Sequence, residues 1–216
     1  MTKNKAEREW EFDLSAGVLC LDFANTVSDR GALAGSRDHL QGYEDLIFFA
    51  QDSGILSSPE ARRAIEIAGS NAQAASAVHR TAIALRETIY RVFAAATKSQ
   101  VAKPKDVKMI EEFATEATKH RKLSASGREY RWEWRRDKDE MIMYTLWPIA
   151  QSAADLLTSD RLKKVRECEA PTCAWLFLDE SRNHSRRWCD MKVCGNREKA
   201  KRHYERGKKQ PAASDH

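Results

Sequence analysis

Four of the five cysteines lie close together near the C-terminus, in two pairs whose spacing suits a metal site. The pairs are Cys168/Cys173 and Cys189/Cys194. Paired cysteines in a long chain without a secretory signal favour metal binding over disulfides. Four thiolates with no open position are typical of a tetrahedral, structural zinc site. The alternative is two pairs of free thiols buried in a core.

The elements around the cysteines must bring the two pairs together. The first pair flanks a predicted hairpin turn at 169–172, between strands at 162–167 and 175–178. The second pair precedes a predicted helix from 195 to about 204. A hairpin knuckle and a helix N-terminus are the two halves of a treble-clef zinc site. A segment of this size buries too little apolar surface to fold easily without a bound metal ion or another cross-link.

Basic residues are concentrated in the same region. Residues 160–210 contain 15 Lys/Arg and 8 Asp/Glu, a net of +7, so the rest of the chain sums to −2. This distribution indicates a separate module with a polyanionic partner, although a solubilising tail would also be basic. The candidate nucleic-acid contacts are Arg182, Arg186, Arg187, Asn196, Arg197, Lys199, Lys201, Arg202 and Arg206.

We expect duplex DNA as the partner, although basic residues serve DNA and RNA alike. Lysine and arginine contact phosphates, and Arg or Asn can also read base edges in the major groove. Arg197 stands at the start of the predicted helix, where base contacts are usual. RNA binding or protein docking remains the alternative. A solvent-facing Phe or Tyr beside the arginines would favour single-stranded RNA.

The rest of the chain is predicted to be mainly helical. Apolar periodicity and capping signals place helices at 38–52, 59–69, 71–98, 104–119 and 147–157. Alternation in 129–146 predicts a β-hairpin with its turn at 136–139, with Trp132 and Trp134 in the core. Cys20 is expected to be buried. The fold class is therefore α+β: a mostly helical N-terminal domain with a β-hairpin, then a small treble-clef-like zinc finger with four cysteine ligands.

Three polar residues interrupt the apolar segment 12–27: Asp22, Asn25 and Thr26. Buried polar groups need partners, so these side chains could simply tie loops to the backbone. Alternatively they form the floor of a small-molecule pocket, with Arg37 and Asp38 at its rim.

Two motifs resemble known families. The sequence Cys194-Gly195-Asn196-Arg197 is similar to the signature of the CGNR zinc-finger family, and the sequence 177–191 before it is also similar to that family. The sequence 21–26, Leu-Asp-Phe-Ala-Asn-Thr, resembles the opening of the ABATE domain, which usually precedes this finger. The resemblance implies a bacterial transcription regulator whose N-terminal domain senses a small ligand.

We therefore expect a DNA-binding regulator with domains at 1–159 (ABATE-like, ligand-binding), 160–209 (CGNR zinc finger) and 210–216 (a disordered tail). The cofactor is zinc, and the second partner is an unidentified small molecule. No apolar run is long enough for a membrane span, so a cytoplasmic protein is the default. A homodimer is compatible with one small finger per chain. No phosphate-binding glycine loop, nucleophile motif or open metal site indicates an enzyme.

Overall fold

The computed structural model describes residues 11–32, 35–135 and 142–209, with side chains to 206. It confirms a mostly helical chain with small hairpins. The helices are α1 (Leu19–Ala24), α2 (Tyr43–Asp52), α3 (Ser58–Ser70), α4 (Ala72–Thr97), α5 (Pro104–Lys119), α6 (Leu146–Leu157) and α7 (Asn196–Lys209). The strands pair as three antiparallel hairpins: β1 (Val27–Ser28) with β2 (Arg37–Asp38), β3 (Arg121–Ser126) with β4 (Glu129–Trp134), and β5 (Val165–Glu167) with β6 (Leu176–Leu178).

Local signals explain where several helices begin. Glu60 bonds back to the Ser57 N–H, and Pro59 stands in the first turn of α3. The Asn71 side chain accepts from the Ala74 N–H and caps α4. The predicted start of α2 at residue 38 is wrong, because Asp38 pairs with Val27 in a two-stranded sheet. The helix begins instead at Tyr43.

Helix α4 runs through the centre of the main core. Its predicted apolar stripe is buried along its length, including Leu85, Ile89 and Phe93. Phe23 of α1 and Phe49 of α2 pack together beside it, with ring centroids 5.3 Å apart. Cys20 is fully buried in this core, as predicted, and burial raises the pKa of its thiol to about 12. It is therefore a packing residue.

The hairpin predicted over 129–146 has the wrong turn and the wrong partner strand. Strand β4 is where alternation places it, but it pairs with β3, which precedes it, and the described residues 142–145 form a turn instead of the second strand. Gly127 adopts a φ of 63° and allows the chain to reverse just before β4. Trp132, predicted to be core, is 60% exposed, whereas Trp134 packs against the core. Met141 lies outside the described residues.

The hairpin β5–β6 shares the core of the helical region. Val165, Leu176 and Leu178 belong to the same buried cluster as α4. The Leu178 N–H also donates to the Ala16 carbonyl at 2.8 Å. The domain boundary at 159/160 stays a prediction, but the finger's first hairpin is built into the helical core. The proposed tail, 210–216, lies outside the part of the chain that is described.

None of the helices in the described ranges is both long enough and apolar enough to cross a membrane.

Candidate metal centre and the adjoining cleft

The four C-terminal cysteines form one buried cluster. Their Sγ atoms all lie within 4.8 Å of one another, and the pairs Cys173–Cys189 and Cys189–Cys194 are each 3.6 Å apart. In a tetrahedral site with Zn–S bonds of ~2.3 Å, sulfur atoms are about 3.8 Å apart. The thiols are unbridged. Donor type, number and spacing therefore fit zinc, and the four cysteines are positioned to bind it.

Hydrogen bonds between the cysteine side chains shift their pKa values in opposite directions. The Cys173 and Cys189 thiols donate to Cys168 and hold its pKa well below the ordinary value. The same interactions raise the pKa of Cys173 and Cys189, because each gives its proton to a shared bond. Zinc is bound by thiolates, so its binding releases the protons that the thiols carry. The charge of the metal ion then offsets the repulsion among four close thiolates.

Short elements hold each ligand in place. Cys168 and Cys173 flank the turn between β5 and β6, and the Cys168 N–H donates to the Trp175 carbonyl at 2.8 Å. Cys194 lies in a π-helical turn, Met191–Gly195, directly before α7. The Asp190 side chain caps that turn by accepting from the backbone N–H groups that follow it. This is the hairpin knuckle and helix start expected of a treble clef.

Sequence reasoning missed the residue that shapes the loop between the two pairs. Asp179 is fully buried and accepts from the backbone N–H groups of Ser181 and Arg186, each at 3.0 Å. Burial alone would raise the pKa of Asp179, but these bonds and the Ser181 hydroxyl outweigh it and lower the pKa. An aspartate directly after an apolar strand and two residues before a serine was the available signal.

Three of the predicted nucleic-acid residues bond to other groups of the protein, although Arg187 and Arg197 remain exposed. The Arg186 guanidinium donates to the carbonyls of Trp188 and Cys189 and stacks over Phe177. Arg187 pairs with Glu169 across the turn. Arg197 donates to the Cys194 Sγ at 3.6 Å and lies 3.8 Å from Asp29, a residue of the loop after β1. These bonds connect segments of the finger, and Arg197 also places positive charge beside the Cys194 sulfur.

The other predicted contacts are displayed to solvent. Helix α7 packs on the turn Met191–Gly195, and its residues 196–206 are exposed except for half-buried Glu198. Arg182 is also exposed, on the loop organised by Asp179. The exposed members of the predicted set that make no ion pair with a described residue are Arg182, Asn196, Lys199, Lys201, Arg202 and Arg206.

Comparison with known families agrees with this geometry. The model of the ABATE family, described as "putative stress-induced transcription regulator", matches residues 17–160. The chain belongs to the ABATE family. The CGNR zinc finger model matches residues 164–207, which contain all four cysteines. Both resemblances are thereby confirmed in the expected order, and the metal is zinc. A comparison with curated proteins found no match.

The loop after β1 connects the ABATE domain to the CGNR finger by a close backbone contact. The Gly31 N–H donates to the Thr172 carbonyl, at the knuckle between the first two zinc ligands, at 3.0 Å. A Cβ on Gly31 would lie 2.4 Å from the Pro171 carbonyl oxygen, which is far inside contact distance. Only glycine therefore allows this close approach of two backbones.

Gly31→Ala should destabilise the protein by about 2 kcal/mol, because the loop and the knuckle must separate to admit the methyl group. The measurement is thermal unfolding together with the rate of zinc transfer to a chelator, which should rise. Gly69→Ala, in the last turn of α3, is the matched control, because nothing lies within 4 Å of its Cβ position. That change should stabilise slightly. Equal effects at both positions would contradict the close approach.

Three of the four predicted pocket residues line a real cavity. Asp22, Asn25 and Thr26 border a space of about 200 Å³, together with Trp175 of the finger. Arg37 is exposed and is not part of its lining, and Asp38 instead forms a two-bond ion pair with Arg86 at 2.7 Å.

The polar side chains of this region also bond to the backbone, as the other interpretation expected. Asn25 bonds to both backbone groups of Leu176: its amide donates to the carbonyl at 2.8 Å and its oxygen accepts from the N–H at 3.0 Å. The Thr26 hydroxyl donates to the Phe23 carbonyl at 2.8 Å. Asn25 is thus a second connection between the ABATE domain and β6 of the finger.

Asp22 gives the stability of the protein a defined pH dependence. Burial raises its pKa to about 7, and the charge of Asp13 adds to the effect of burial, while the Ala16 N–H opposes it. A raised carboxyl pKa stabilises the folded state below about pH 4, and this contribution is lost as the pH rises through about 7.

The free energy of unfolding of Asp22→Asn, compared with that of the wild type, should therefore be about 2 kcal/mol higher at pH 8 than at pH 5. Urea unfolding at both pH values measures the difference. Asp155→Asn, on the exposed side of α6, is the control. A constant difference between Asp22→Asn and the wild type at the two pH values would contradict a buried, titrating carboxyl.

Proposed function

We propose that this protein is a non-enzymatic, ligand-responsive regulator that binds duplex DNA through α7 and the adjoining loop of the CGNR finger. The exposure of α7 carries the proposal. Within 196–206, four basic side chains besides Arg197 project from it and make no ion pair with any described residue. The major groove accepts one α-helix, and the basic side chains then reach the phosphates on either side.

The zinc centre supports this role by fixing the helix. Zinc joins the turn before α7 to the knuckle and, through the knuckle, to the ABATE core. In this arrangement Arg197 orients the Cys194 thiolate and does not contact a base. The candidates for base-edge contacts are Asn196, exposed at the start of α7, and Arg182, exposed on the loop organised by Asp179.

Lys201→Ala should weaken binding to all duplexes alike and reduce the salt slope by about one, because one phosphate contact is removed. Fluorescence anisotropy with several unrelated duplexes measures this. Lys105→Ala, an exposed lysine at the start of α5, is the matched control and should change nothing. A loss restricted to one duplex sequence would show that Lys201 reads bases, whereas equal losses for both variants would contradict binding through α7.

Single-stranded RNA is the second candidate partner, because Tyr204 is 64% exposed and lies on the same face of α7 as Lys201, three residues earlier. An exposed ring beside a basic side chain suits the stacking of unpaired bases. If RNA is the partner, Tyr204→Ala should weaken single-stranded RNA binding by about 1–3 kcal/mol. If duplex DNA is the partner, as proposed, Tyr204→Leu and Tyr204→Ala should bind the duplex almost equally.

A homodimer would suit this function, because one exposed helix of this size covers little DNA. Two copies would place two helices in successive turns of the major groove. Sedimentation of the protein with and without DNA measures the stoichiometry.

A further inference from the structure

The cavity floored by Asp22 continues toward the zinc centre. A second cavity of about 180 Å³ lies beside it, bordered by three of the zinc ligands and by Arg197. The two cavities share Asp13, Ser28 and Trp175 in their linings. We call the pair the interdomain cleft. Trp175 forms its central wall, and its indole N–H is fixed by a 2.8 Å bond to the Val27 carbonyl.

The first cavity is acidic. Its described lining contains the carboxyl groups of Glu11, Asp13 and Asp22 but no lysine or arginine, and its one histidine, His39, has a lowered pKa caused mainly by burial and then by Arg37. Phe12 and Trp175 supply apolar surface. This combination of carboxylates and aromatic rings suits an organic ammonium ion with an apolar body.

Asp22 provides the second observation, because its side chain is incompletely partnered. Asp22 is 8% exposed, and one carboxyl oxygen accepts from the Ala16 N–H at 2.9 Å. The other oxygen bonds to no described residue, and no basic side chain contacts the group. A buried carboxyl without a counter-ion is unfavourable unless it stays protonated or a ligand supplies the charge.

We propose that the interdomain cleft binds a small organic ammonium ion, with its charge at Asp22 and its apolar body against Phe12 and Trp175. The bound ligand then bridges the ABATE domain and the finger, because Trp175 lies between Cys173 and β6. Occupancy strengthens the attachment of the finger and slows zinc loss. This inference rests on the proposed function, for which it names the class of ligand and the route to the DNA-binding helix.

Isothermal titration of the full-length, zinc-loaded protein with phenethylamine tests the site. The amine should bind, while its neutral analogue 2-phenylethanol and its anionic analogue phenylacetate should bind at least about tenfold more weakly. Asp22→Asn should reduce amine affinity at least about tenfold, and Asp155→Asn should not. The proposal is overturned if the amine does not bind at millimolar concentration, if an analogue binds as well, or if Asp22→Asn has no effect.

The second readout is zinc transfer to a chelator. Saturating phenethylamine should slow it at least about threefold in the wild type and leave it unchanged in Asp22→Asn. An amine that binds without slowing transfer would overturn the bridging role. DNA affinity is measured on the same samples: amine binding and slower zinc loss without any DNA affinity would uphold the cleft site while refuting the proposed function. DNA affinity without amine binding would support the proposed function and refute the cleft site.

Discussion

Replacing Cys189 with serine should abolish zinc binding and unfold the loop 179–195 together with α7. Three thiolates cannot complete the tetrahedral site, and structural zinc contributes about 10–16 kcal/mol to zinc-finger folding. The hairpin β5–β6 should remain folded, because Val165, Leu176 and Leu178 are anchored in the ABATE core. Elemental analysis gives the metal content, and amide hydrogen exchange shows which segments lose protection.

Cys20→Ala provides the control for this variant. It removes a buried thiol that is not part of the metal cluster, so zinc content should stay at one ion per chain while stability falls modestly. Full zinc occupancy in Cys189→Ser would refute the four-cysteine site. Loss of protection in β5 and β6 as complete as in α7 would show instead that the hairpin depends on the metal.

Asn25→Ala should cost about 3 kcal/mol of unfolding free energy. The change leaves both the N–H and the carbonyl of buried Leu176 without partners, and each unsatisfied buried group costs about 1–3 kcal/mol. Asn71→Ala is the matched control, since that asparagine caps α4 at the surface and its loss should cost about 1 kcal/mol. Urea unfolding of both variants measures the difference.

Asn25→Asp refines the test. Its carboxylate keeps the shape and the acceptor for the Leu176 N–H but places a negative charge against the Leu176 carbonyl. It should be at least as destabilising as Asn25→Ala. If both Asn25 variants cost no more than Asn71→Ala, the bond between the ABATE domain and β6 contributes little, and the two parts are held together by other contacts.

The zinc site could be predicted because its signal is local and chemical. Four cysteines in two evenly spaced pairs admit few uses in this context, and the flanking turn and helix signals determine how they converge. The long helices are similarly accessible, since the apolar stripe of α4 repeats along the whole helix. The predicted start of α2 is misplaced because apolar spacing continues through residue 40, which lies in a loop.

The contacts between the two parts of the chain could not be predicted. Asn25 and Leu176 are 151 residues apart, and nothing local to either indicates the other. The basic residues form one set in the sequence, yet the fold divides them. Arg186 and Arg197 donate to groups at the metal site, while Lys201 is exposed and makes no ion pair with a described residue. The hairpin predicted over 129–146 is wrong because the alternation of Trp and Met places the turn after β4. The chain instead reverses at Gly127, before β4.

The dependence of DNA affinity on salt shows whether α7 binds DNA through its phosphates. The full-length, zinc-loaded protein is titrated with duplex DNA between about 50 and 200 mM salt, beside a zinc-depleted sample. If six phosphates are contacted, log affinity should fall against log salt with a slope of about −5, and the zinc-depleted protein should bind far more weakly. No affinity for duplex DNA near 50 mM salt, or equal affinity without zinc, would contradict a zinc-positioned, DNA-binding helix.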